Sequence, residues 1–237
     1  MLSFHLAAPP DGALAQRVQL ALALHGAAVC LRPAEGAARL TVVCAGQGKL
    51  VLRDGIAMLH LIWRLFGARL PADPGQRDLM EQVVLAEERL AAVMAARDAR
   101  DLDLAVYHLR EALQRIGEGL GGLTPAGLER TDVALAPLLW RLQVLDGRFG
   151  SQLGAGLPVL RAHAARLLAV PQVAALLDRA AAGRLVARVR DSGAALADAE
   201  VWTIWDRAFA PRKMENKVLF AGARTKVPSI GRSGAFR

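Results

Sequence analysis

One tyrosine, two cysteines and four lysines are all that this chain of 237 residues holds of three chemically useful side chains. Aromatic residues make up 5% of it, which argues against an all-β protein built on aromatic-rich strands. Cys30 and Cys44 form neither a CxxC pair nor a metal-ligand spacing, so they read as two small buried hydrophobes. A structural disulfide between them is disfavoured in a reducing compartment. No apolar run approaches the about 20 residues of a membrane span; the densest, Ile56 to Trp63, is interrupted by His60 and closed by Arg64. No Lys or Arg precedes Arg17, and Pro9-Pro10-Asp11-Gly12 breaks the apolar start. That argues against a secretory signal and for a soluble cytoplasmic protein. Acidic residues are nearly missing from the C-terminal stretch: residues 207–237 hold eight basic side chains against Glu215 alone, which is +7 of the formal net charge of +8. Three of the four lysines lie there. The body is electrostatically ordinary, and only this tail could attract polyanions at a distance.

What is present is apolar and helix-forming. Hydrophobic residues are 54% of the chain, much of it Ala and Leu, which excludes general disorder. The length suffices for one large domain or two small ones. Leu2 to Leu6 alternates as a first strand, Pro9 to Gly12 is a turn, and Ala13 to His25 is a helix stopped by Gly26. Ala27 to Leu31 is a short strand. Arg39 to Cys44 and Lys49 to Arg53 are two β-rich runs joined by Ala45-Gly46-Gln47-Gly48, a hairpin signature. Asp54-Gly55 opens a helix over Ile56 to Phe66. The order β-α-β-β-β-α predicts a small α/β layer over residues 1–67, followed by a Pro-containing linker at 68–75. Beyond it the periodicity is helical over 76–209. Gln76 to Arg97 is one helix, and Asp101 opens the next. Thr131-Asp132 begins a helix apolar on nearly every side, which marks it as a core helix. Gly154 to Leu168 and Val173 to Val189 supply two more, and Ala194 to Phe209, with Trp202 and Trp205, a last one. Residues 210–237 read as a basic extended arm.

Taken together, these segments resemble the glutathione S-transferase superfamily. Arg17 to Leu22 with Gly26 is similar to its first helix, Leu50 to Leu59 to its fourth strand running into a helix, and Leu70-Pro71-Ala72-Asp73-Pro74 to its linker. Thr131 to Trp140 resembles its buried central helix, and Leu157-Pro158 with Val170-Pro171 its closing helices. The resemblance implies a thioredoxin-like N-terminal domain followed by an all-helical bundle, an α/β plus all-α architecture. It also implies a Ser, Cys or Tyr in the turn after the first strand, stabilising the glutathione thiolate. Here that turn reads Ala7-Ala8-Pro9-Pro10-Asp11-Gly12-Ala13, and no Ser, Cys or Tyr occurs between Phe4 and Val29. Asp11 is the one reactive side chain nearby, and its carboxylate would repel a thiolate. The acid and Ser that hold the γ-glutamyl group correspond to Asp54 and Gly55, which keep the acid and a helix N-terminus but lose the hydroxyl. Where the family places a helix and then a Val-Pro step, only Leu31 to Ala38 intervenes. Asp132 corresponds to the family's capping-box Asp; Glu129 stands in the N-cap place, and Thr131 is an alternative cap.

The remaining clusters carry bland readings. The five histidines are scattered without metal-ligand spacing. Asp98, Asp101 and Asp103 read as helix capping in a solvated turn, Gly46-Gln47-Gly48-Lys49 as a hairpin, and Glu87-Glu88-Arg89 as a solvated helix face. Trp202 and Trp205 read as core. Three functions follow as expectations. The first is a non-catalytic scaffold, a pseudoenzyme, for protein–protein interaction. Arg212, Lys213, Lys217, Phe220, Arg224, Lys226 and Arg232 of the tail would contact the partner, and a homodimer is implied by resemblance. The second is a divergent transferase binding glutathione through backbone groups and Asp54. The third is a nucleic-acid-associated accessory protein acting through the tail, with an acidic membrane surface as another polyanion it could meet. The first reading needs no cofactor or metal.

Overall fold

The computed structural model describes residues 2–9, 11–46, 48–67, 74–121 and 130–198. The linker at 68–73, Glu129, Trp202, Trp205 and the whole basic arm therefore lie outside the described residues.

Four strands, β1 (Leu2–Ala8), β2 (Val29–Pro33), β3 (Arg39–Cys44) and β4 (Gly48–Leu52), form one mixed sheet in the order β2-β1-β3-β4. β1 and β2 run parallel, joined by helix α1 (Ala13–Leu24). β3 runs antiparallel to β1 and to β4. β3 and β4 pair as the expected hairpin, and Gly46 and Gly48 have φ of 79° and 95°, values that L side chains rarely adopt. Helix α2 (Gly55–Leu65) closes this thioredoxin-like region. Its start is fixed by Asp54, whose carboxylate Oδ1 accepts from the Ala57 amide at 2.7 Å, an N-cap interaction.

Alternation along β1 and β3 puts Phe4, Leu6, Ala8, Leu40 and Val42 on a buried face under α1 and α2, against Val18, Leu22, Met58 and Ile62. The other face carries no helix among the described residues. Cys30, read as a buried hydrophobe, is exposed on that face, and Cys44 is half-buried. For Cys30 burial was the wrong expectation because the five residues 34–38 between β2 and β3 are too few to build a covering helix, and Cys44 is the last residue of β3.

The helical region follows as α3 (Pro74–Ala95), α4 (Ala99–Leu120), α5 (Arg130–Phe149), α6 (Pro158–Leu168), α7 (Pro171–Leu176) and α8 (Arg179–Asp191), with a short turn of 3-10 helix at Ala195–Ala197. α3 takes in Pro74 and Gly75, which the sequence reading gave to the linker. α4 opens at Ala99, two residues earlier than Asp101, because Asp98 caps it through the Asp101 amide at 2.8 Å. α5 is the central helix, buried from Arg130 to Leu142 and packed against α1, α3, α6 and α8. The single helix expected over Val173 to Val189 is two helices. Asp178 caps α8 by accepting from the Ala181 amide at 2.8 Å, and a cap cannot sit in a helix interior. The helix expected from Gly154 starts at Pro158, a residue suited to a first helical position. Of Ala194 to Phe209, the described part is the 3-10 turn alone.

No helix among the described residues is long and apolar enough to cross a membrane.

Candidate functional site

The β1–α1 turn, the start of α2 and the facing sides of α3, α5 and α8 enclose a cleft of about 460 Å³. Leu14, Ile56, Val84, Leu90 and Met94 give it apolar walls, and Arg17, Glu87 and Arg141 are its charged floor. Asp54 and Gly55, singled out in the sequence, lie together on its rim. One Asp54 oxygen is engaged in capping α2. At Gly55 more is missing than a hydroxyl: a Cβ placed there would stand 2.8 Å from Leu14 Cδ1. The Leu14 side chain fills the space into which a serine would project.

Asp11 is also on the cleft, and it is not a lone charge. Its carboxylate meets Arg184 Nε at 2.8 Å and Arg188 Nη2 at 3.2 Å, both on α8. Its backbone carbonyl accepts from Arg141 Nη2 at 2.7 Å. The turn that resembles the family's thiol-activating turn is thus bound by three guanidinium groups to the helical region. That arrangement is occupied by its own carboxylate and offers no hydroxyl or thiol.

Beneath it, Arg17 of α1 donates from Nε to the Ala134 carbonyl at 3.0 Å and places Nη2 2.8 Å from Glu87 Oε1 of α3. The two charges touch, but Nη2 and Oε1 are not aligned as a hydrogen bond, so the contact is chiefly coulombic. Arg141 also donates to Gln16 Oε1 at 2.8 Å, and its buried Nε has no hydrogen-bond partner among the described residues. Burial raises the Glu87 carboxyl above the ordinary carboxylate range, against the opposing pull of Arg17 and Arg141. Burial likewise lowers the Arg141 guanidinium. Glu87 therefore corrects the solvated-face reading, which holds for the exposed Glu88 and Arg89 beside it. Sequence reasoning missed Arg17, Glu87, Arg141, Arg184 and Arg188. The available signal was Arg141, the one charge in the run Val133 to Leu145 of the core helix.

A second cluster lies within the helical region. Asp132 Oδ1 receives His163 Nε2 and Arg166 Nη2, each at 2.8 Å, and ties α5 to α6. Thr131 is not a cap: it lies inside α5, buried, with a hydroxyl that has no partner among the described residues. A second cavity of about 490 Å³ lies between α5, α6 and the loop at 150–157. Its loop is clamped by Asp146, which accepts from Ser151 Oγ and the Leu153 amide at 2.6 Å and from the Gly154 amide at 3.0 Å.

No protein-family model and no curated protein sequence matches the chain. Solved structures do. The Omega 1C glutathione transferase from Trametes versicolor aligns with a TM-score of 0.61 at 18% identity, over 81% of this chain and 98% of its own. A Tau class glutathione S-transferase from mango, Mangifera indica, gives 0.63 at 16% identity, over 80% and 98%. The trimeric glutathione transferase TDR1 of Leishmania gives 0.66 at 14% identity, over 80% of this chain and 48% of its own, so the chain spans about half the length of that protein. The chain has the fold of the glutathione transferases, a thioredoxin-like region followed by a helical domain.

Proposed function

We propose that this chain is a non-catalytic scaffold of glutathione-transferase fold that works by binding another protein. One observation carries the reading. In the turn where the resemblance calls for a thiol-stabilising hydroxyl, Asp11 stands ion-paired to Arg184 and Arg188. The turn thus presents no hydroxyl or thiol to hold the thiolate that transfer chemistry needs, and its one reactive side chain is engaged by two guanidinium groups. Gly55 supports the same conclusion: it carries no hydroxyl, and the Leu14 side chain lies where a serine Cβ would project. Exposed apolar side chains support the binding role: Leu104 and Tyr107 on α4 are 59% and 63% exposed, and Leu50 and Val51 on β4 are 47% and 42%. Cytoplasmic location, homodimer formation and a contribution of the basic arm through Arg212, Lys213, Lys217, Phe220, Arg224, Lys226 and Arg232 complete the proposal.

Calorimetric titration of the full chain with glutathione to 10 mM, alongside a glutathione-conjugation assay, tests it. No saturable heat and no turnover are expected. Saturable binding would overturn the reading in favour of a divergent transferase. The observation favouring that alternative is the cleft itself, which keeps Asp54 and the α2 N-terminus on its rim.

A further inference from the structure

The uncovered face of the sheet has a composition of its own. The registers place Ala7 between Arg32 and Arg39, and His5 between Cys30 and Thr41. They place Val43 between Ser3 and Lys49, and Val51 beside Thr41. The four strands contain no Asp or Glu. Arg32, Arg39 and Lys49 are exposed and have no ion-pair partner among the described residues. Between them lies a band of small or β-branched side chains: Ala7, Thr41 and Val43 are half-buried, and Val51 is 42% exposed. A sheet buries its apolar face against another layer, and a face left to water commonly alternates to polar side chains. This face is neither fully polar nor covered by a described helix.

We propose that this open face is a docking surface for an acidic amphipathic helix of a partner protein, an inference that rests on the scaffold reading above. Charge selects the occupant. A second copy laid face to face would set cations against cations. The chain's own stretch at 207–237, with eight basic residues and one acid, is repelled for the same reason. A nucleic acid would meet His5 as the one ring on the face, where single strands use aromatic platforms. Phosphates would also desolvate the Ala7–Val43 band without replacing its water by apolar contact. An amphipathic helix satisfies both parts, its apolar stripe on the band and its Asp and Glu side chains toward Arg32, Arg39 and Lys49. Four strands spaced about 4.8 Å apart span roughly 15 Å, which a three-turn helix of about 16 Å crosses. Such an area is well below the roughly 800 Å² per partner of a standard interface, so the contact is transient or one part of a larger one.

The test is site-specific photo-crosslinking in the native host, using the full chain with benzoylphenylalanine in place of Thr41 and, separately, in place of Tyr107. From Thr41 the expected product is a partner protein joined through a segment with apolar residues at helical spacing and an excess of Asp and Glu. Arg39→Glu with Lys49→Glu is expected to cut that yield at least tenfold without moving the thermal midpoint. Crosslinks from Thr41 to nucleic acid, to residues 199–237, to a second copy or to a basic segment overturn the proposal. So does an undiminished yield in the double variant. If Tyr107 captures a protein and Thr41 captures nothing, the surface is wrong and the scaffold reading stands. If neither captures a protein, both fail.

Discussion

Arg17 and Glu87 meet where the α/β region packs on the helical region, whereas Asp132, His163 and Arg166 meet inside the helical region alone. Both clusters bury a carboxylate, but they treat it differently. Asp132 receives two short, oriented hydrogen bonds on one oxygen. Glu87 receives a charge at 2.8 Å without an aligned hydrogen bond, and neighbouring Arg141 keeps an unpartnered Nε. Buried polar groups cost most when they are half-satisfied. At the region boundary the oriented hydrogen bonds go to Ala134, Gln16 and Asp11 and leave Glu87 with a charge contact alone, while at the α5–α6 junction the buried carboxylate is itself the acceptor.

The comparison can be broken most forcefully at Arg17. Arg17→Met leaves Glu87 buried without its nearest counter-charge, and losses of about 3–5 kcal/mol are typical when one partner of a buried pair is removed. Urea unfolding should show a large fall in midpoint. Arg17→Met combined with Glu87→Gln should recover much of it, because a neutral pair no longer strands a charge. Asp132→Asn weakens the other cluster and should cost about 2 kcal/mol, read by the same unfolding curve.

Acid–base behaviour sharpens the contrast further. In the folded chain the Glu87 carboxyl titrates above its ordinary value of 4.5, so between those two values the folded state holds a proton that the unfolded state has released. Its contribution to stability is full below about pH 4.5 and is lost as pH rises through the folded value. Unfolding free energies of Glu87→Gln should lack that decline. His25 should act in the opposite sense. It stacks on Phe66 at 4.6 Å and meets the edge of Trp63, and burial lowers it from its ordinary 6.5. Stability should fall as pH drops below about 6.5, where the unfolded chain protonates first, and His25→Phe should flatten that limb. The smallest effect belongs to Asp11→Asn. Arg184 and Arg188 are open to water, so the thermal midpoint should move by no more than about 2 °C.

Much of the fold was legible because periodicity and punctuation agree. Gly26, Gly46 and Gly48, and Asp54 each stop or start an element within a residue or two of where local chemistry places it. The break at Asp178 was not read, since Ala and Leu on both sides continue a helical pattern and only the cap interrupts it. The site was half legible. Asp54 and Gly55 open α2 and line the cleft, and the hydroxyl-free turn was plain from the letters. What Leu14 does to Gly55, and which arginines hold Asp11, depend on side chains from α1 and α8, far away in sequence. Glu87 was misread for the same reason: on its own helix it has charged neighbours and looks solvated, and its partner comes from α1.

The five-residue connection between β2 and β3 also bears on chain entropy. β2 and β3 flank β1, so their link has to pass over the end of β1, where the Ala34 amide donates to the Ala8 carbonyl at 3.2 Å. Closing a loop of five residues rather than one of about 20 lowers the closure cost by about 1 kcal/mol. The bare face forgoes the burial that a covering helix would bring. The tighter connection offsets a fraction of that loss in the unfolded ensemble, without any contact that the folded structure displays.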